Sequence, residues 1–159
     1  MSQTPVPGRT QIRRARFADL SNRDLYDILR LRSEVFVIEQ DCVYLDLDGR
    51  DAEPSTEHLW VRDGDGIAAT LRLLDEGDDV WSVGRVVTRL DVRSSGVASR
   101  LMEEAIARLG SLGSKTIVLG AQAHLADWYA RFGFEISGPG YVEDGIPHVP
   151  MRRTSAGTA

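Results

Sequence analysis

The sequence predicts a single mixed α/β (α+β) domain, with a central sheet of about six to seven strands flanked by helices. Three observations carry this expectation. Stretches rich in β-branched and apolar residues, such as EHLWVRD, VWSVGRVVT and KTIVLGA, are interleaved with segments of helical periodicity. Turn-forming clusters, GDG at 64–66 and EGDD at 76–79, separate adjacent strands. The 159 residues, 42% hydrophobic and 27% charged, suit one domain with its own core.

Taken in order, QIRRARF is a short first strand. Ser21 then opens a helix, with Asp24 three residues on in a spacing like a capping box. Leu25, Ile28, Leu29, Val35 and Phe36 recur at helical spacing, so this helix is expected to run to about Ile38. Residues 39–56 hold six acids and one arginine and read as a long loop, a feature that is usually functional in a compact domain. A hairpin follows around GDG, then the strand VWSVGRVVT, in which Gly84 suggests a bulge or a close approach. Residues 94–109 form an amphipathic helix with Val97, Leu101, Met102, Ala105, Ile106 and Leu109 on one face and Gly110 placed as its C-terminal cap. KTIVLGA is a buried strand, HLADWYARFGF a short helix stopped by Gly133, and FEIS and HVPMRR closing strands. Residues 12–153 make up the domain; 1–11 and 154–159 read as loose tails.

The net charge of −5 argues against a nucleic-acid partner, which calls for a basic face. No apolar run approaches the roughly 20 residues of a membrane span, and the N-terminus lacks a signal-peptide layout, so no membrane association is expected. The single cysteine, Cys42, allows no internal disulfide, reads as a small buried hydrophobe and suits a reducing cytoplasmic location. No EF-hand spacing surrounds DLDGRD, and no metal is expected.

The stretch RVVTRLDVRSSGVASRLMEEAI poses the functional question. A strand ends at Thr88 and a helix begins near Ser94 or Ser95, either of which can cap it. Its start is bare of large side chains, with Gly96 and Ala98, and Arg93 stands beside it. A helix N-terminus carries about four unpaired N–H groups and roughly half a positive charge, which makes it a ready anion site. Neither a P-loop nor a dinucleotide fingerprint is present. From this stretch alone, an anion site and an ordinary capped helix both stand.

Arg93-x-x-Gly96-x-Ala98 between a strand and an amphipathic helix resembles the acetyl-CoA loop of the GNAT (Gcn5-related) N-acetyltransferases, and DWYARFGF resembles that family's later helix, with Tyr129 four residues before Gly133-Phe134. LRSEVFVIEQDCVYLDLDGRD, GRVVT, LGAQAHLADWYARFGF and EDGIPHVPM resemble the ElaA-like branch, over about residues 12–153. Gln122 stands where many members carry asparagine. The resemblance implies the GNAT acyl-CoA N-acyltransferase fold and transfer of an acetyl group from acetyl-CoA to a primary amine by direct attack in a ternary complex. It implies that main-chain groups of Val86, Val87 and Thr88 hold the pantetheine arm. It further implies that residues Arg93, Ser94, Ser95, Gly96, Val97, Ala98 and Ser99 hold the pyrophosphate, that Gln122 touches the cofactor, and that Tyr129 is the general acid. On the acceptor side Glu39 and His148 are the candidate substrate residues, with Glu34 and His124 as further candidate bases, and the acid-rich 39–56 loop is a field for a cationic substrate. The acceptor is a small-molecule or peptide amine. A non-catalytic CoA-binding module and an acyltransferase for longer acyl-CoA stay open, as does a homodimer.

Overall fold

The computed structural model describes residues 11–155; of the tails expected at 1–11 and 154–159, residues 1–10 and 156–159 lie outside the described residues, whereas Thr154 is the last residue of a strand. Strand β1 (Ile12–Arg16) leads through one 3-10 turn into helix α1 (Asn22–Arg32). Ser21 caps this helix as its spacing predicts, its Oγ accepting the Asp24 N–H at 3.0 Å and satisfying one first-turn donor. The helix reaches the expected length but changes type. From Ser33 to Glu39 it widens into π-helical turns, a form found mostly at functional sites.

Strands β2 (Glu57–Asp63), β3 (Gly66–Gly77) and β4 (Val80–Thr88) form an antiparallel meander. Helix α2 (Val97–Ser111) then crosses to β5 (Thr116–Gln122), which lies parallel to β4. This helix runs past the expected Gly110 stop. Its cap is Gly113, at φ +78°, where the Ser114 N–H reaches Leu109 O at 3.0 Å and the Gly113 N–H reaches Gly110 O at 3.1 Å. That bond pair is a Schellman motif, and it needs a left-handed residue, hence glycine.

Helix α3 (Ala126–Ala130), β6 (Glu135–Ile136), β7 (Tyr141–Glu143) and β8 (Ile146–Thr154) complete the domain. Strand β7 is additional to the expected set. It pairs with β8 around Asp144 and Gly145, both at positive φ, as an Asp-Gly hairpin turn requires. Among the described residues, eight strands form one sheet in the order β1-β2-β3-β4-β5-β8-β6, with β7 also on β8.

Each face of the sheet is covered. Leu101, Met102, Ala105 and Leu109 of α2 pack on Leu59, Val61, Leu71 and Leu73. Ile28, Leu31 and Val35 pack on Trp60, Ile67 and Val87 on the other side. Each fully buried leucine or methionine contributes about 1.5–3 kcal/mol relative to exposure. Cys42 is buried, as expected of a small apolar residue.

Candidate active site in the cleft between two parting strands

Strands β4 and β5 pair only over Val80–Ser82 and Thr116–Val118. Beyond that they part, because β5 continues along β8 as far as Gln122↔His148 while β4 stays with β3. A cleft of about 540 Å³ opens between them. The register of β3 against β4 slips here: Arg72 faces Gly84 and Thr70 faces Val87, so one residue of β3 opposes Arg85 and Val86. The expected bulge is present, but its left-handed residue is Arg85, at φ +52°, one position after Gly84. A non-glycine in that conformation needs support from its surroundings. Asp46 Oδ1 lies 2.7 Å from Arg85 Nε, and Nη2 donates to Asp46 O at 3.1 Å.

Those contacts belong to a larger network. Buried Arg32 donates to Asp46 Oδ2 at 2.9 Å and to both oxygens of Asp51 at 2.7 and 3.1 Å. Arg72 donates to both oxygens of Asp48 at 2.9 and 2.7 Å, and to Asp51 at 3.1 Å. Burial pushes the Asp51 carboxyl upward in pKa, but the guanidinium groups of Arg32 and Arg72 outweigh it and hold the group below its ordinary value. The hydrogen bonds from Arg72 hold Asp48 well below the usual carboxylate range. This overturns the expectation that the 39–56 loop is a free acidic field. Asp46, Asp48 and Asp51 are consumed by the protein's own arginines, and Glu53 is paired with Arg50 at 3.1 Å.

At one end of the cleft stands the start of α2. Neither Ser94 nor Ser95 caps it. Ser94 lies at φ +64°, and the Ser95 hydroxyl donates back to Val92 O. The cap is Gly96, at φ +87°, with no side-chain bond to the first turn. The first-turn N–H groups therefore face outward with no side chain across them. Thr88, Arg93, Ser94, Gly96, Val97, Ala98 and Ser99 line a hollow of about 370 Å³ there, together with Trp128 and Arg131. Arg93 is anchored across it, donating from Nε to Thr88 O at 3.1 Å and from Nη2 to Glu39 Oε1 at 2.8 Å. Ser95 does not line the hollow. The chemistry of this donor set, uncapped amides plus a guanidinium, fits a phosphate group.

Tyr129 of α3 lines the main cleft beside Val83, Gly84, Val86 and Leu119. Its ring is buried edge-on to Trp128 at 4.9 Å and to Phe134 at 6.2 Å. Among the described residues, none bonds its hydroxyl. Burial pushes the phenol up to about 12, so it stays protonated at neutral pH. Gln122 lines the same cleft, its Nε2 lying 3.4 Å from Gln40 Oε1.

The other wall combines the chain after α1 with the β7–β8 hairpin. His148 lines it with its ring stacked on Tyr141 at 5.6 Å and 20°. His148 Nδ1 is 2.7 Å from Ile146 O, a contact that only a protonated nitrogen makes favourably; this assigns the proton to Nδ1 and leaves Nε2 as the basic nitrogen, 3.8 Å from Glu143 Oε2. Cys42 Sγ, 3.4 Å from Asp144 O, ties these two segments of the wall together. Glu39 does not line this cleft, because its carboxylate is turned to Arg93. Glu34 is engaged by Arg30 at 3.0 Å, and His58 is buried in β2 against Asp51 O. Tyr44, Arg85, Gly120 and Tyr141 line the cleft and were not singled out from sequence. Only Tyr141 had a local signal, three residues before the Asp-Gly pair at 144–145. Among the described residues no group of three His, Cys, Asp or Glu side chains could hold a metal ion, and no helix is long and apolar enough to cross a membrane.

Comparison with known proteins agrees with this fold. Residues 30–155 match the family model described as an acetyltransferase (GNAT) domain. A UPF0039 protein of Mycobacterium tuberculosis is 43% identical over 150 residues, covering 92% of this chain and 94% of that protein. The crystal structure of an acyl-CoA N-acyltransferase from Pseudomonas aeruginosa superposes with a TM-score of 0.87 at 39% identity, covering 92% of this chain and all (100%) of that one. That of Escherichia coli ElaA superposes with a TM-score of 0.85 at 35% identity, covering 91% and 99%. With its parted strands, its bulge and its uncapped helix start, the chain belongs to the GNAT acetyltransferase family, in the ElaA-like branch.

Proposed function

We propose that the protein is an N-acetyltransferase that moves the acetyl group of acetyl-CoA to a primary amine by direct attack while both are bound. The observation that carries this reading is the Tyr129 hydroxyl, unbonded within the cleft where β4 and β5 part. Acetyl-CoA, as co-substrate, supplies an acetyl group already activated as a thioester.

Amides at the start of α2 and the Arg93 guanidinium bind the pyrophosphate, while the open edge of β4 from Val86 to Thr88 aligns the pantetheine arm. Gln122 contacts the arm from β5. His148 Nε2 takes the proton that the acceptor ammonium must lose before it attacks, and Glu143 stabilises the resulting imidazolium. A main-chain N–H at Val86 or Val87 meets the carbonyl oxygen as it gains charge; one such donor contributes about 3 kcal/mol. Tyr129 donates to the sulfur as the C–S bond breaks, and its phenolate is reprotonated by the second proton, which the attacking nitrogen sheds as the amide forms. A phenol held near 12 is a weak acid toward a thiol of ordinary pKa, about 8.5. The sulfur departs into the same buried groove, however, where desolvation raises its pKa as well, so donor and acceptor shift together.

Calorimetric titration with acetyl-CoA, followed by thiol release across a panel of amines, tests the reading. Saturable binding and amine-dependent release are expected. No binding at millimolar acetyl-CoA overturns it, and binding without release for any amine reduces the protein to a CoA-binding module.

A further inference from the structure

We infer that the acceptor is a primary ammonium carried on an apolar or aromatic body, with no carboxylate beside the amine. This rests on the acetyltransferase reading and names its substrate class. The wall built from the chain after α1 and the β7–β8 hairpin faces the incoming acceptor. Phe36, Tyr44, Leu45, Tyr141 and Ile146 line it, so an incoming molecule meets rings and aliphatic carbon beside the polar groups of Gln40, Glu143, Asp144 and His148. Both phenols are held in place. Tyr44 donates to Asp46 Oδ1 at 3.1 Å with the Arg85 guanidinium 5.8 Å from its ring centroid, and Tyr141 stacks on His148. Rigid rings form a slot for a flat or narrow apolar group at little entropic cost.

Charge narrows the class further. Among the described residues, Arg85 is the lone arginine or lysine lining the cleft, and its charge is met by Asp46 at 2.7 Å and Asp48 at 3.5 Å. Among the described residues, the lining carboxylates Glu143 and Asp144 have no arginine or lysine partner; Glu143 faces His148 Nε2 at 3.8 Å. The site thus offers anions to an ammonium and no free cation to a carboxylate. An α-amino acid brings its own carboxylate to these two acids and is repelled, whereas the amide or the decarboxylated amine is not.

The apolar character also continues outside the cleft. Val43 is 99% exposed and Val142 71%, and Leu45, which lines the cleft, is 77% exposed at its rim. Cys42 and Asp144, in contact at 3.4 Å, bring these two strips side by side at the mouth. A long hydrophilic polyamine gains nothing from them.

The test uses the full chain with saturating acetyl-CoA, after calorimetry has measured cofactor binding. Initial rates of thiol release are compared for phenethylamine, phenylalanine amide, phenylalanine, butylamine and spermidine. The two aromatic amines without a carboxylate are expected to exceed phenylalanine and spermidine by about tenfold or more in kcat/KM, a difference of about 1.4 kcal/mol, with butylamine, a smaller apolar body, in between. Their order relative to each other distinguishes a free arylalkylamine from the N-terminus of a peptide. The double variant Glu143→Gln, Asp144→Asn is expected to lower kcat/KM for phenethylamine by about tenfold with the acetyl-CoA Kd unchanged. Phenylalanine or spermidine used as well as phenethylamine, no turnover of either aromatic amine, or a double variant with full kcat/KM overturns the inference alone. Failure of acetyl-CoA to bind overturns the acetyltransferase reading beneath it.

Discussion

Arg93 and Glu39 are joined by a 2.8 Å ion pair, although 54 residues separate them. Glu39 therefore sits as an internal anion on the guanidinium that the pyrophosphate is proposed to meet. Both side chains are more than a third exposed, so the pair is screened and contributes about 0.2–1 kcal/mol. Replacing Glu39 by Gln frees Arg93. Calorimetry should then show acetyl-CoA binding tightened by about two- to fivefold. Unchanged or weakened binding would mean that Glu39 helps to hold Arg93 in its binding position.

Tyr129→Phe keeps the ring that packs on Trp128 and Phe134 and removes the hydroxyl alone. Thermal stability should stay within about 1 kcal/mol, while kcat should fall by about a hundredfold or more. Unchanged turnover removes the proton-donor role and leaves the fold assignment standing.

Arg32 holds two carboxylates, Asp46 and Asp51, and is itself 1% exposed. Arg32→Met leaves both without this partner in the interior. Breaking a buried pair in this way costs about 3–5 kcal/mol. Urea denaturation should show a loss of that order, with the loop at 41–52 released from β4. A loss below about 1 kcal/mol would show that Arg72 and Arg85 suffice.

His58 provides a pH signature. Burial holds its pKa below the ordinary 6.5, so the folded protein keeps it neutral where the unfolded chain protonates it. Stability is then full above about pH 6.5 and declines as pH falls from there toward the folded value. Asp48 and Asp51, both depressed, add a second loss only below about pH 4, where the unfolded carboxylates take up protons. Urea midpoints between pH 8 and 5 should fall, and His58→Gln should flatten that slope. A wild-type profile flat from pH 8 to 5 would contradict the burial argument.

Gly120 is crossed by the Tyr141 hydroxyl, which a methyl group there would displace. Gly120→Ala should raise the acceptor KM severalfold, because Tyr141 also stacks on His148, with little change in stability. An unchanged KM would separate Tyr141 from acceptor binding.

The sequence by itself determined what depends on neighbours within a turn or a strand. Ser21 and Asp24 lie three residues apart, so one hydrogen bond between them is a local matter. The bare start of α2 and the offset from Tyr129 to Gly133 are local in the same sense, as is the apolar face from Leu101 to Leu109. The Asp-Gly pair at 144–145 is a local signal of the same kind, but the expected set of elements leaves out its turn and, with it, β7. Tertiary structure decided the rest. Whether an aspartate faces solvent or an arginine is set by which strands lie beneath it, so the acids of the 39–56 loop became a structural network only once Arg32, Arg72 and Arg85 met there. The bulge fell on Arg85 because the register of β3 against β4 chose it. His148 came opposite Gln122, and the cleft opened at all, because β5 stays with β8 while β4 stays with β3. Such partnerships join residues many positions apart, and their free energy depends on the whole sheet being in place, which no short window of sequence records.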